Sequence, residues 1–179
     1  MKEWLFIFFF FWGCNTGQQK KIDENIKEFR TTDASLLFFK NLRSPYYEPI
    51  ENNDESTLSF IIRDRYRGSE RIVCQSFINL HRYEDRASIT LQLNRNIEAD
   101  TEGLIIWNSS SSGDQGKIPF NLNDKDHSRP AFAIYNHLLS GDKLFLNIGD
   151  INIEILSTCE DQESFRITLI DFLRLIEAY

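Results

Sequence analysis

The chain has 179 residues, a formal charge of −7 and three cysteines. A field of that sign does not gather nucleic acid, and three cysteines are too few to staple a small disulfide scaffold. The length instead suits one domain able to bury its own core.

The first residues, MKEWLFIFFFFWGC, bear on compartment. Trp4 to Trp12 is an unbroken apolar run of nine residues. As a helix it reaches about 14 Å, against about 30 Å for the hydrocarbon core of a bilayer, so it is too short to span one. A positive start at Met1 and Lys2, a short apolar stretch and a small residue at Gly13 form the pattern of a secretory signal peptide. Gly13–Cys14 resembles the end of a bacterial lipobox, with Phe11 and Trp12 standing where such boxes usually carry Leu and a small residue. The resemblance implies cleavage before Cys14 and a diacylglycerol on its sulfur, hence a membrane contact through the N-terminal lipid. It divides the chain into a signal peptide (1–13), a lipid-anchored tether (14–34) and a single globular α+β domain (35–179). Asn15-Thr16-Gly17 lacks the Asp that retains some lipoproteins in the inner membrane. For a Gram-negative source this favours a cell-envelope location on the periplasmic face of the outer membrane.

From Asn15 to Arg30 the only large apolar residues are Ile22, Ile26 and Phe29. That composition suits a tether, and their spacing also fits a short docking helix. Leu36 to Leu42 reads as a first strand, after which Pro45 and Pro49, lacking ladder donors, are expected to leave the sheet. Strand-like runs recur at Leu58–Arg65, Ile72–Leu80, Ser88–Leu93, Leu104–Trp107 and Lys117–Leu122, a spacing that favours antiparallel neighbours. The Ser109–Gly113 run between two of them reads as a hairpin loop.

Ser128 is placed to cap a helix whose second residue after it is Pro130 and whose end is marked by Gly141, with Phe132, Tyr135, Leu138 and Leu139 on its apolar side. Lys143–Ile148 and Ile151–Leu156 read as a hairpin turning at Gly149–Asp150. In the last element Phe165, Leu169, Phe172, Leu173 and Ile176 share a helical face, and Ser157 with Glu160 offers a capping box that starts the helix near Cys159. Together these elements predict an α+β fold, mostly antiparallel β-sheet or a β-sandwich, with two helices in the C-terminal third. The ending from about Ala133 to Phe172 is similar in pattern to secreted bacterial β-domains of the invasion-associated locus B type. That family's cysteine pairs have no counterpart here, so the similarity implies architecture alone.

Chemistry is sparsely signalled. Cys74 is expected to point inward from its strand, and Cys74 and Cys159 are read either as a disulfide or as two inert thiols. His81, His127 and His137 lack the spacing that puts two ligands on one helical face; His137 reads as a solvated residue and His81 as part of a charged hairpin turn. Asn121, Asn123, Asp124 and Asp126 supply hard oxygens, but without the glycine and terminal Glu of a calcium loop they read as the approach to the helix. No metal, cofactor or catalytic residue is assigned. Arg63, Arg65 and Arg67 alternate onto one face, and Arg71, with Arg82 and Arg86, comes from the neighbouring predicted hairpin. Guanidinium groups fork onto phosphate or carboxylate, so Arg63, Arg65, Arg67 and Arg71 form the candidate anion-binding set, the plainer reading being a charged strand edge. The function favoured is a non-enzymatic binding or accessory module of the envelope whose partner is an envelope protein or polymer; the alternative is a small envelope hydrolase or ligand carrier.

Overall fold

The computed structural model describes residues 20–51, 56–63, 74–93, 102–148 and 151–179. Within them the fold is mixed α+β and mostly β: two antiparallel four-stranded sheets and three helices. The first sheet has the order β1-β2-β3-β4, from β1 (Tyr47–Glu51), β2 (Thr57–Ile62), β3 (Cys74–His81) and β4 (Arg86–Leu93). The second has the order β6-β5-β7-β8, from β5 (Glu102–Asn108), β6 (Gln115–Asn121), β7 (Lys143–Ile148) and β8 (Ile151–Ile155). The helix α3 (Cys159–Leu175) packs on β3 and β4, while α2 (Ser128–Leu139) packs on α3, β4, β6 and β7 and so joins the two sheets. Alternation explains the layers: Leu144, Leu146 and Ile148 of β7 point inward and are buried, as are Ile78 and Leu80 of β3. They meet the buried faces of the helices, including Phe132 and Ile134 of α2 and Phe165, Leu169 and Phe172 of α3.

Two expectations fail at the start of the domain. The run Leu36–Leu42 is not a strand: α1 (Asp33–Phe38) and a π-helical turn, Phe39–Arg43, occupy it. Local capping decides the matter. Thr32 accepts from the Ser35 N–H at 3.1 Å while Ser35 Oγ accepts from the Thr32 N–H at 3.0 Å, a reciprocal box that nucleates a helix ahead of an apolar run equally suited to a strand. The third helix therefore precedes the sheets. The second failure concerns Pro49, which stays in the sheet in register with Phe60. It is tolerated because β1 is an edge strand.

Elsewhere the boundaries shift by little. The helix α3 starts at Cys159 as expected, but its cap is Thr158, which accepts from the Asp161 N–H at 3.2 Å, rather than Ser157. Ser128 is the first residue of α2, not its cap, and the Asp126 carboxylate accepts from both its N–H (2.9 Å) and its hydroxyl (2.6 Å). Gly141 follows α2 at φ +75°, the left-handed conformation expected of it. Gly149–Asp150 lies outside the described residues.

Residues 22–31, read from sequence as part of the tether, lie against the body. They form no helix, yet Ile22, Ile26 and Phe29 pack on the core. The Ile22 N–H donates to Asn136 Oδ1 at 2.8 Å, and Asn136 Nδ2 donates to the Ile22 carbonyl at 3.0 Å. Phe29 meets the rings of Phe132 and Phe172, with centroids 6.0 and 5.9 Å away. The strap then reaches β4, where the Ala87 N–H donates to the Phe29 carbonyl at 3.0 Å.

Candidate functional site

The flank of the first sheet beyond β1 is built by the α1 segment, the start of β1, the end of β2 and the last turn of α3. Phe39 and Tyr47 point inward from it, with the Phe39 ring 5.6 Å from Tyr47 and 5.2 Å from Phe60. Phe38, Leu42 and Tyr46 recur every four residues on the outward side, next to Leu37. Their exposures are 42% for Phe38, 57% for Leu42, 61% for Tyr46 and 61% for Leu37, whereas most other large apolar side chains among the described residues are buried or partly buried. Tyr179, 71% exposed, extends the surface, and with Ser35, Phe38, Arg174 and Glu177 it lines a shallow cleft of about 450 Å³. Glu177 sits at φ 54°, which turns the chain so that Tyr179 lies under Arg174, 5.2 Å from the guanidinium carbon. A cluster of this kind, large, apolar and rimmed by arginine, has the composition of an interaction surface.

Beneath it sits a buried carboxylate. The Asp171 side chain is 1% exposed, and Arg43 Nε donates to both of its oxygens, at 2.8 and 2.9 Å. The Tyr47 hydroxyl donates to Oδ2 at 2.8 Å, and Arg174 approaches Oδ1 at 3.4 Å. This network holds the Arg43 guanidinium over the Tyr46 ring, 5.0 Å from its centroid. The hydrogen bond to Asp171 pushes the Arg43 pKa further up, and burial, reinforced by the Asp171 charge, pushes the Tyr47 phenol well above its ordinary value. Asp171 thus anchors the helical segment that presents Leu42 and Tyr46.

Of the arginines singled out in sequence, Arg63 lies at this flank. Its N–H donates to the Tyr46 carbonyl at 3.1 Å and its Nε to the Tyr47 carbonyl at 2.8 Å. Arg65, Arg67 and Arg71 lie outside the described residues, as does Cys14. Arg82 and Arg86 do not join Arg63: they flank the β3–β4 turn, at the end of the sheet where Thr57 pairs with His81, while Arg63 follows Ile62 at the other end of β2. Arg86 instead pairs with Asp126 at 2.9 Å. The neighbours that sequence did not offer Arg63 are Arg43, Tyr46 and Tyr47.

The remaining candidates have structural partners. His137, expected to be solvated, stacks on Trp107 at 4.3 Å and meets Asp142 at 2.7 Å. His81 ends β3 and contacts Ser88 at 3.2 Å. His127 is fully buried: its Nδ1 accepts from the Leu91 N–H at 3.0 Å, so Nε2 carries the proton donated to the Asn121 carbonyl at 2.6 Å. Cys74 and Cys159 are both free thiols; Cys74 is buried and its pKa is pushed up to about 12, first by burial and then by the Asp161 charge, whereas Cys159 is exposed. Among the described residues no group of His, Cys, Asp and Glu is arranged to hold a metal ion.

Comparison with known protein families, with curated proteins and with solved structures finds no match for this chain.

Proposed function

We propose that this chain is a cell-envelope lipoprotein, held to a membrane through an acylated Cys14, whose folded body is a non-enzymatic binding module. The observation that carries the binding reading is the outward stripe of Phe38, Leu42 and Tyr46 beside Leu37 and Tyr179. Burying such side chains against a partner returns roughly 1.5–3 kcal/mol each, and tyrosine and arginine are the residue types that dominate binding energy at interfaces. The partner is an envelope protein or polymer. Arg63, with its terminal nitrogens directed to no hydrogen-bond partner among the described residues, adds a fork for a carboxylate or phosphate at the margin of the stripe. The location proposed is the periplasmic face of an outer membrane.

Two measurements test the proposal. Metabolic labelling with an alkyne fatty acid is expected to mark the native chain and not Cys14→Ala; equal labelling of both removes the anchor. A photo-crosslinking amino acid at Leu42 is expected to trap a specific partner in cells, while the same probe at Tyr83, exposed on the β3–β4 turn, traps none. Failure of the Leu42 probe together with turnover of an envelope substrate by the purified protein supports a small hydrolase instead.

A further inference from the structure

We infer that the body sits on its own membrane by the end where α2 finishes, with the Ser109–Gly113 loop toward the bilayer. This rests on the acylation of Cys14 proposed above. The strap sets the direction. Ile22 is bonded to Asn136 near the C-terminal end of α2, Phe29 lies against Phe132 one turn earlier, and Arg30 bridges to Arg86, which pairs with Asp126 just before α2 begins. The strap therefore runs antiparallel to α2. The strap thus begins beside the C-terminal part of α2.

The same end carries the β5–β6 loop, because Ser110 Oγ donates to the Gly141 carbonyl at 3.1 Å and Trp107 stacks on His137. Lys143 opens β7 beside Asn108, and Lys20 and Lys21 are exposed ahead of the strap. Serine hydroxyls and lysines are compatible with a phospholipid headgroup layer. The opposite end is the β3–β4 turn, where the Thr31 N–H donates to the Asp85 carbonyl at 2.9 Å.

Length favours the α2 C-terminal end. Ile22 lies eight positions after Cys14, so even a fully extended chain holds Ile22 within about 28 Å of the acyl attachment. The twelve-residue α2 is itself about 18 Å long. A pose with the α2 C-terminal end down needs little of that contour, whereas a pose with the β3–β4 turn down must run a substantial part of it back along α2.

The experiment uses the full chain, matured in cells, purified in detergent and reconstituted into phosphatidylethanolamine and phosphatidylglycerol vesicles that contain a headgroup-nitroxide lipid. Cys159→Ser removes the exposed thiol, Cys74 being buried. In that background a fluorophore is placed by Ser111→Cys or, separately, by Tyr83→Cys. Quenching is expected to be several-fold greater at position 111 than at 83. Equal quenching, or stronger quenching at 83, overturns the orientation while leaving the anchor standing. An unacylated chain is recognised separately, because it fails to float with vesicles and takes up a second fluorophore on the free Cys14 thiol, and that result overturns both.

Discussion

The two edges of the first sheet are finished in opposite ways. At β4 outward backbone groups are given partners: the Ile89 N–H donates to Ser128 Oγ, the Leu91 N–H to His127 Nδ1, and the Ile89 carbonyl accepts from the His127 N–H at 2.6 Å. The strap completes the edge through Phe29 and Ala87. At β1 the strand is short and contains Pro49, and the surface beyond it holds five exposed large apolar side chains over one buried carboxylate. One flank spends its polar side chains on closure against strand addition, the other on holding an apolar surface in place. The one histidine that is fully buried, His127, thus serves the closed edge, and the binding flank is made of ordinary Leu, Phe and Tyr.

The largest effect is expected at the carboxylate beneath the open flank. Asp171→Ala removes the shared acceptor of Arg43, Tyr47 and Arg174 and leaves a partly buried guanidinium without its counter-ion. Breaking a buried pair from one side costs about 3 kcal/mol. Urea unfolding of the variant is expected to show a loss of that size; a loss below about 1 kcal/mol means the network does not hold the flank.

At the closed edge His127→Ala removes two hydrogen bonds, orphans the Leu91 N–H and the Asn121 carbonyl, and opens a cavity beside Phe120. The expected cost is about 2 kcal/mol, with new strand-edge association visible by light scattering. Destabilisation without association would show that the strap and Ser128 close the edge on their own.

How much of this was legible in the sequence follows from how local each signal is. The β7–β8 alternation and the α3 face of Phe165, Leu169 and Phe172 are written within a few residues of one another, and both elements appear where expected. The segment 36–42 defies a purely local reading because Leu-Leu-Phe-Phe suits strand or helix, and the arbiter, Thr32 with Ser35, lies just upstream. The candidate flank was not legible because Arg43 and Asp171 are 128 residues apart, and no period or spacing connects residues that only folding brings together. Arg63 is marked by its charge, but strand adjacency in the sequence points to neighbours at the wrong end of the sheet.

Alkaline pH sharpens the comparison from the Tyr47 side. Burial, then the Asp171 charge, raise the Tyr47 phenol above its ordinary 10.0, so the folded state keeps a proton that the unfolded chain gives up. Its contribution is complete below about pH 10 and declines as pH rises past that value. Tyr47→Phe is expected to cost about 1 kcal/mol at neutral pH, through the lost bond to Asp171, and to flatten the decline between about pH 10 and 11. An unchanged slope would place the alkaline sensitivity elsewhere, with the buried Cys74 thiol, pushed up to about 12, the next group to test.

The smallest stability change is expected where the functional change is largest. Leu37 and Leu42 are more than half exposed and carry no packing role comparable to that of Phe39, which is buried between Tyr47 and Phe60. Leu37→Ser with Leu42→Ser should therefore leave the unfolding midpoint within about 0.5 kcal/mol of the parent. If the open flank binds the partner, the same pair of changes removes two apolar anchors and lowers crosslinking from a neighbouring probe by about tenfold or more. His127→Ala gives the reverse pattern, a large stability loss with crosslinking preserved in the folded fraction. Were the two leucine changes to destabilise the fold instead, the exposed stripe would be part of the scaffold, and the distinction between a closed edge and an open binding flank would collapse.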